Sequence, residues 1–369
     1  MEHQHLEEDY LYEDEDALSE LRKLRSQINY AKKNGNTEKA LDLYYQYSRL
    51  DILKYSGHKA FLILSEYIEY YNANPKYKKH KYYVMWTFKN ILPVLDGFLK
   101  LSFEDIKHQY DLYKNCCQKY GYSLRTYYQM LEYYLFSNPN ASSLYDISMT
   151  EAHEAAKKEP RDKLCDPEAV EAYYDFTYHL DIKDDDVSAK MIIAPYLKKE
   201  NYYGSIPHQS YYYLARYYWN KKKYSESIKY AKKALVMLEN DYPDHLCFFY
   251  IRSILFDIIS VRYKEKALRV FKEMLMCTDQ CKNEGSVFTF FECSYRFFYR
   301  LEKSGVGTVH IRIPDTLNGD LFAQQNEYQT KELKQFFYDK AKVLAEKFDK
   351  QNNTHEFIDS LNEEPVCKE

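Results

Sequence analysis

The sequence predicts an all-α chain, and three observations carry that expectation. Breakers are scarce: 369 residues contain 9 Gly and 10 Pro, which favours long helices over short strands and tight turns. Apolar residues recur at three- and four-residue spacing from Leu18 almost to Phe348, the mark of amphipathic helices. Between residues 168 and 281 the helical segments come as three consecutive pairs of similar length. The second member of each pair carries small packing residues: Ala189 in the first, Ser227, Ala231 and Ala234 in the second, Ala267 in the third.

The elements follow in order. Residues 1–16 read as a flexible acidic head. A helix then runs through Leu18, Leu21, Leu24 and Ile28, the turn Asn34-Gly35-Asn36 closes it, and Thr37 caps the next. The segment KAFLILSEYIEYY ends at Asn74-Pro75, and KYYVMWTFKNILPVLDGFLK is kinked or broken at Pro93. A helix from Phe103 to Tyr120 is closed by Gly121. Another starts at Ser123, a short one covers about 144–158, and residues 158–167 form a loop. The three regular pairs come next, then an aromatic helix after Gly285. Beyond Ser304 helical periodicity stops. Val309 to Ile313 alternates apolar and polar residues as a short strand does, within a turn-rich insertion. A final amphipathic helix over about 329–350 carries Leu333, Phe336, Phe337, Ala341, Leu344 and Phe348 on one stripe, and residues 351–369 read as a flexible tail.

The middle pair, residues 208–241, reads HQSYYYLARYYWNKKKYSESIKYAKKALVMLEND. It resembles a tetratricopeptide (TPR) repeat, a helix–turn–helix unit of about 34 residues with the pattern W-x2-L-G-x2-Y followed by A-x3-F. Tyr211 stands for the Trp, Leu214 and Ala215 for Leu-Gly, and Tyr218 for the Tyr. Lys222, Ser227 and Glu239 stand where the family usually has Gly, Ala and Pro. Residues 21–54 form a degenerate copy with Ala40 and Tyr44 at the second-helix positions. The resemblance implies a right-handed α-α superhelix, a TPR-like solenoid over residues 17–303, capped by the segment 304–350 with its short β and turn insertion.

Composition excludes several function classes. Fifty-two basic and 56 acidic residues leave a net charge of −4, so there is no basic footprint for nucleic acid. No run of about 18 apolar residues suggests a membrane span. The N-terminus is acidic without an apolar centre, so it does not read as a signal peptide, and the 8 Cys are expected as reduced thiols in a cytoplasm. Cys277-x3-Cys281 lacks a second close ligand pair, so no metal and no cofactor is expected. His153 reads as a surface histidine. No nucleophile elbow, Walker loop or zinc-protease motif is present. The 42 Tyr suit inter-repeat packing, with an aromatic body buried and a hydroxyl near water.

The expected function is therefore non-enzymatic binding of a protein or peptide ligand in a concave groove, with a homodimer also compatible. In TPR proteins the first helix of each pair lines the groove, which places Tyr174 and Tyr178, then Gln209, Tyr212, Arg216 and Trp219, then Arg252 and Phe256, on an aromatic floor with two guanidinium groups. Arginine reads a carboxylate with two parallel hydrogen bonds and stacks on aromatic rings, so this floor suits a peptide carrying a carboxylate. Arg25 and Asn29, one helical turn apart, offer a second, weaker carboxylate clamp. Alternatives by fold analogy are a bacterial regulator of the peptide-pheromone type, the sensor portion of a signalling protein acting on a partner, or a phosphatase-like effector.

Overall fold

The computed structural model describes residues 15–54, 57–198, 203–246, 248–318 and 326–367. The acidic head expected over 1–16 lies almost wholly outside the described residues; the first helix begins at Glu15. The chain is mostly helical, with helix over 76% of it and strand over 2%, as its scarcity of breakers predicts. It divides into two compact units, one built mainly from residues 1–96 and 104–164, the other mainly from 165–277 and 284–369.

The first unit contains α1 (Glu15–Lys33), α2 (Thr37–Lys54), α3 (His58–Asn72), α4 (Lys79–Ile91), α5 (Phe103–Tyr120), α6 (Arg125–Ser137) and α7 (Met149–Lys158). The pairs α1/α2, α3/α4 and α6/α7 pack together, and α2 also touches both α3 and α4. The predicted break at Pro93 is a 3-10 segment, Leu92–Gly97, that continues from α4. Gly121 closes α5 at φ 71°, a left-handed residue that lets Tyr122 N–H return to the Cys117 carbonyl at 2.9 Å. Tyrosines make much of the core: Tyr44 stacks on Tyr67 with centroids 5.1 Å apart, and Tyr110 lies 5.2 Å from Tyr134. Some of the hydroxyls are satisfied inside, Tyr113 with the Thr126 hydroxyl at 3.0 Å and Tyr110 donating to the Met130 carbonyl at 3.1 Å, which offsets the cost of burying them. Those of Tyr67 and Tyr134 are enclosed without a partner among the described residues. His153 is not a surface residue. It is 2% exposed, with Nδ1 3.0 Å from Glu132 Oε1, so an imidazole in an otherwise polar helix marks a buried pair.

The second unit contains α8 (Glu168–Asp181), α9 (Asp186–Ile193), α10 (Ile206–Asn220), α11 (Tyr224–Asp241), α12 (Phe249–Ser260), α13 (Lys264–Leu275), α14 (Glu284–Lys303), the short α15 (Asp315–Asn318), α16 (Thr330–Asn352) and α17 (Glu356–Asn362). The first helices pack in series, α8 on α10, α10 on α12, α12 on α14. Each also packs on its own second helix, α8 on α9, α10 on α11, α12 on α13 and α14 on α16. Helix α10 therefore has neighbours on several sides. That explains why Tyr211, Tyr212, Tyr213, Leu214, Ala215, Tyr217 and Tyr218 are all buried, since only a surrounded helix is apolar nearly all round.

Two departures from the repeat pattern have local explanations. Lys222 occupies the left-handed position after α10 at φ 58°, with Lys223 N–H on the Tyr218 carbonyl at 2.9 Å. The backbone thus adopts the turn that glycine usually serves, at a cost of about 1 kcal/mol for a residue with a Cβ. Ser227 donates its hydroxyl to the Ala215 carbonyl on α10 at 2.7 Å, so a polar side chain sits satisfied at a helix–helix contact.

Phe271 on α13 gathers the aromatic core of this unit, with Phe256, Phe290, Phe297, Phe298 and Phe337 all between 5.2 and 6.2 Å from its centroid. Of the strand expected over 309–313 only the start is realised, as β1 (Thr308–His310), paired antiparallel with β2 (Glu327–Gln329) so that buried Val309 faces buried Tyr328. Helix α17 lies within the stretch for which the sequence predicts a flexible tail.

Candidate functional site

The first helices of the second unit present a polar and aromatic row along their shared face. Arg216, half-buried on α10, is its centre. Burial works against its charge, while Tyr212, Tyr213, Tyr250 and Asp181 around it work in favour and hold the guanidinium firmly protonated. Its Cζ lies 5.2 Å from the Tyr213 ring centroid, a cation–π distance. Asp181 closes α8 and Tyr250 opens α12, so one side chain on α10 is in electrostatic reach of groups on both neighbouring helices. Tyr250 is 41% exposed, which leaves the row open to solvent on the α12 side.

Asp181 is the most perturbed carboxylate of this row. Burial pushes its carboxyl up to about 6 from an ordinary 3.8, against the lowering effect of Arg216. Its Oδ2 and the Tyr212 hydroxyl are both enclosed and have no hydrogen-bond partner among the described residues. A carboxyl that binds a proton more readily when folded costs nothing below about pH 3.8 and its full amount above pH 6. That amount is at most about 3 kcal/mol. Asp181→Asn keeps the shape without the charge, so its melting temperature is expected above that of the parent at pH 7.5 and level with it near pH 4. A gain independent of pH in paired melting curves would contradict this.

A second node lies further along the same face. Arg300 of α14 donates from Nη1 to Asp257 Oδ1 of α12 and, at 2.9 Å, to the Ser260 hydroxyl. Its Cζ sits 5.9 Å from the Trp219 ring centroid of α10. Arg300 and Asp257 are both buried. Beside them Arg296 and Glu292 of α14 pair at 2.9 Å. Charges thus alternate along the face: Asp181 with Arg216, Asp257 with Arg300, Glu292 with Arg296.

The residues singled out from the sequence fall into two groups. Tyr174, Gln209, Arg216 and Trp219 are half-buried on α8 and α10. Gln209 is tied down, its Nε2 on the Ser205 hydroxyl at 2.6 Å. Tyr178, Tyr212, Arg252 and Phe256 are 4% exposed or less. Phe256 belongs to the Phe271 cluster. Arg252 is 0% exposed and donates from Nη2 to the Leu238 carbonyl at 3.1 Å and to the Tyr242 carbonyl. It fastens the C-terminal turn of α11, where helix carbonyls lack intrahelical partners. An arginine inside the run FYIRSILFDIIS reads as functional, but its guanidinium is here a structural tie.

On α12 the residues that meet Arg216 and Arg300 are Tyr250 and Asp257, seven apart. A frame anchored on Arg252 and Phe256 misses both. Asp181 was within reach of the sequence, one step beyond Tyr174 and Tyr178 on the same face; Tyr213 and Arg300 carried no signal of their own. In the first unit Arg25 pairs with Glu66 at 2.7 Å, and Glu66 also takes Lys32 at 2.6 Å, while Asn29 is exposed. The cation of the weaker clamp is thus engaged by a carboxylate of its own unit.

Among the described residues no three His, Cys, Asp or Glu side chains converge as a metal site, and no helix is long and apolar enough to cross a membrane. Compared with protein-family models, with curated proteins and with solved structures, the chain matches none.

Proposed function

We propose that the second unit is a TPR-like helical repeat, wound as a right-handed superhelix, that binds an extended protein or peptide segment on the face of α8, α10, α12 and α14 without catalysing a reaction. The observation that carries this reading is the position of Arg216, a half-buried guanidinium between Asp181 of α8 and Tyr250 of α12. The serial packing of first helices supports it, since repeat architectures offer binding surfaces along a stack of this kind. A guanidinium flanked by aromatic rings selects a carboxylate or a backbone carbonyl and stacks with planar groups. A reducing cytoplasm suits the thiols.

The test pans random peptides on the intact chain and titrates the enriched ones against Arg216→Ala. Charge-assisted hydrogen bonds are worth about 1.5–3 kcal/mol each, so the variant is expected to bind roughly tenfold or more weakly. Its melting temperature should fall little, because protonation of Asp181 offsets the loss of its cation. Enriched peptides that bind Arg216→Ala as tightly as the parent would refute the assignment of this arginine, and the absence of any enriched peptide would refute the function.

A further inference from the structure

The segment after α17 lies on this same face. Helix α17 is fastened to α14 by Ser360, whose hydroxyl donates to Glu292 Oε1 at 2.7 Å and whose carbonyl accepts from Arg296 Nη2 at 3.1 Å. The chain then leaves the helix extended, with Glu363 at φ −61° and ψ 136°. Tyr299 of α14 donates its hydroxyl to Glu364 Oε1 at 3.2 Å. Pro365 is buried. Arg300 donates from Nε to the Val366 carbonyl at 2.5 Å, while its Nη1 holds Asp257 and its Cζ faces Trp219. One arginine therefore joins the tail to α12 and α10.

We propose that residues 363–367 are a self-docked peptide: an extended acidic, proline-containing segment that occupies the Arg300 end of the binding face and is exchanged for a partner segment of the same chemistry. The inference rests on the peptide-binding reading of that face. The means of attachment are those of a ligand rather than of a core. Residues 363–367 form no helix or strand, and Glu363, Glu364 and Cys367 are exposed. By contrast Leu361 of α17, two residues earlier, is 0% exposed. Segments with so few buried contacts open locally far more easily than the domain unfolds. A tethered segment acts at an effective concentration of about a millimolar, so even weak intrinsic affinity keeps it seated. The free partner favoured is an extended peptide with a carboxylate two residues before the carbonyl that Arg300 reads, and an apolar residue between them.

The experiment titrates a fluorescein-labelled synthetic peptide of residues 363–369 into the intact chain and into a chain ending at Asn362. The shortened chain is expected to bind at least tenfold more tightly than the intact one, and its Tyr299→Phe variant to bind more weakly. No binding to the shortened chain, or equal binding to both, overturns the proposal. Should the shortened chain fail to fold, amide hydrogen exchange on the intact chain decides: the amides of Glu363, Glu364, Val366 and Cys367 must exchange at least tenfold faster than that of Leu361, and equal protection overturns it. The outcomes separate the two readings. Loss of tail binding with Arg216-dependent peptide binding intact removes only the self-docked segment; tail binding without any Arg216 dependence removes only the Arg216 site.

Discussion

Arg252→Ala is expected to destabilise the fold by about 3–5 kcal/mol, a large share of the roughly 5–15 kcal/mol that holds a domain together. The sequence places this arginine in a ligand groove, where its loss would leave stability alone. The structure gives it no exposed surface and two backbone carbonyls at the end of α11 to hold. Removing the side chain leaves the Leu238 and Tyr242 carbonyls without this donor and opens a cavity between α11 and α12, and both effects add. Arg252→Lys is expected to recover part: both bonds come from Nη2 alone, which one ammonium can replace, but the compact ammonium does not fill the space of the planar guanidinium. Urea unfolding of the three proteins checks the order parent, Lys, Ala. An alanine variant with an unchanged midpoint would mean that the guanidinium ties nothing.

Phe271→Ala is expected to cost a similar amount, about 3–5 kcal/mol. The ring is fully buried and meets rings from α12, α14 and α16. Those helices have few ways to collapse into the space, because each is also packed elsewhere, α12 on α11 and α16 on α17. The variant is expected to bind small apolar molecules in the cavity or to lose cooperativity in thermal unfolding. A loss below about 1 kcal/mol would show that the second unit repacks freely around this position.

The helices were legible because their spacing is regular and their stops are chemically marked. Gly35 and Gly121 closed α1 and α5 where expected, and the capping box of Ser148 and Glu151 starts α7 inside the short helix expected there. What escaped was either too short to be periodic or set by tertiary contacts. Helix α17 has seven residues, mostly polar, and is fixed by Asp349, which accepts the Phe357 and Ile358 N–H groups at 3.2 and 2.9 Å. Strand β2 has three residues and exists through its pairing with β1. The division into two units follows no Gly- or Pro-rich linker, so composition could not announce it.

The site was legible in part for the same reason. Helical spacing put Arg216 and Trp219 on one face, and both are half-buried there. It could not tell that Arg252 turns inward, because charge within an apolar run is equally the mark of a groove residue and of a buried tie. The partners of Arg216 and of Trp219, namely Asp181, Tyr250 and Arg300, come from other helices, which spacing along one helix does not reveal.

The central claim, that the row of first helices around Arg216 receives a peptide, is tested most directly by site-specific photo-crosslinking. A benzophenone amino acid is placed at Tyr250, 41% exposed on α12, and in a second protein at Val343, 51% exposed on α16. Each is irradiated with a peptide selected on the intact chain. The account predicts a covalent adduct at position 250, competed by unlabelled peptide, and none at position 343. An adduct at 343 with none at 250 would place the peptide elsewhere and contradict it.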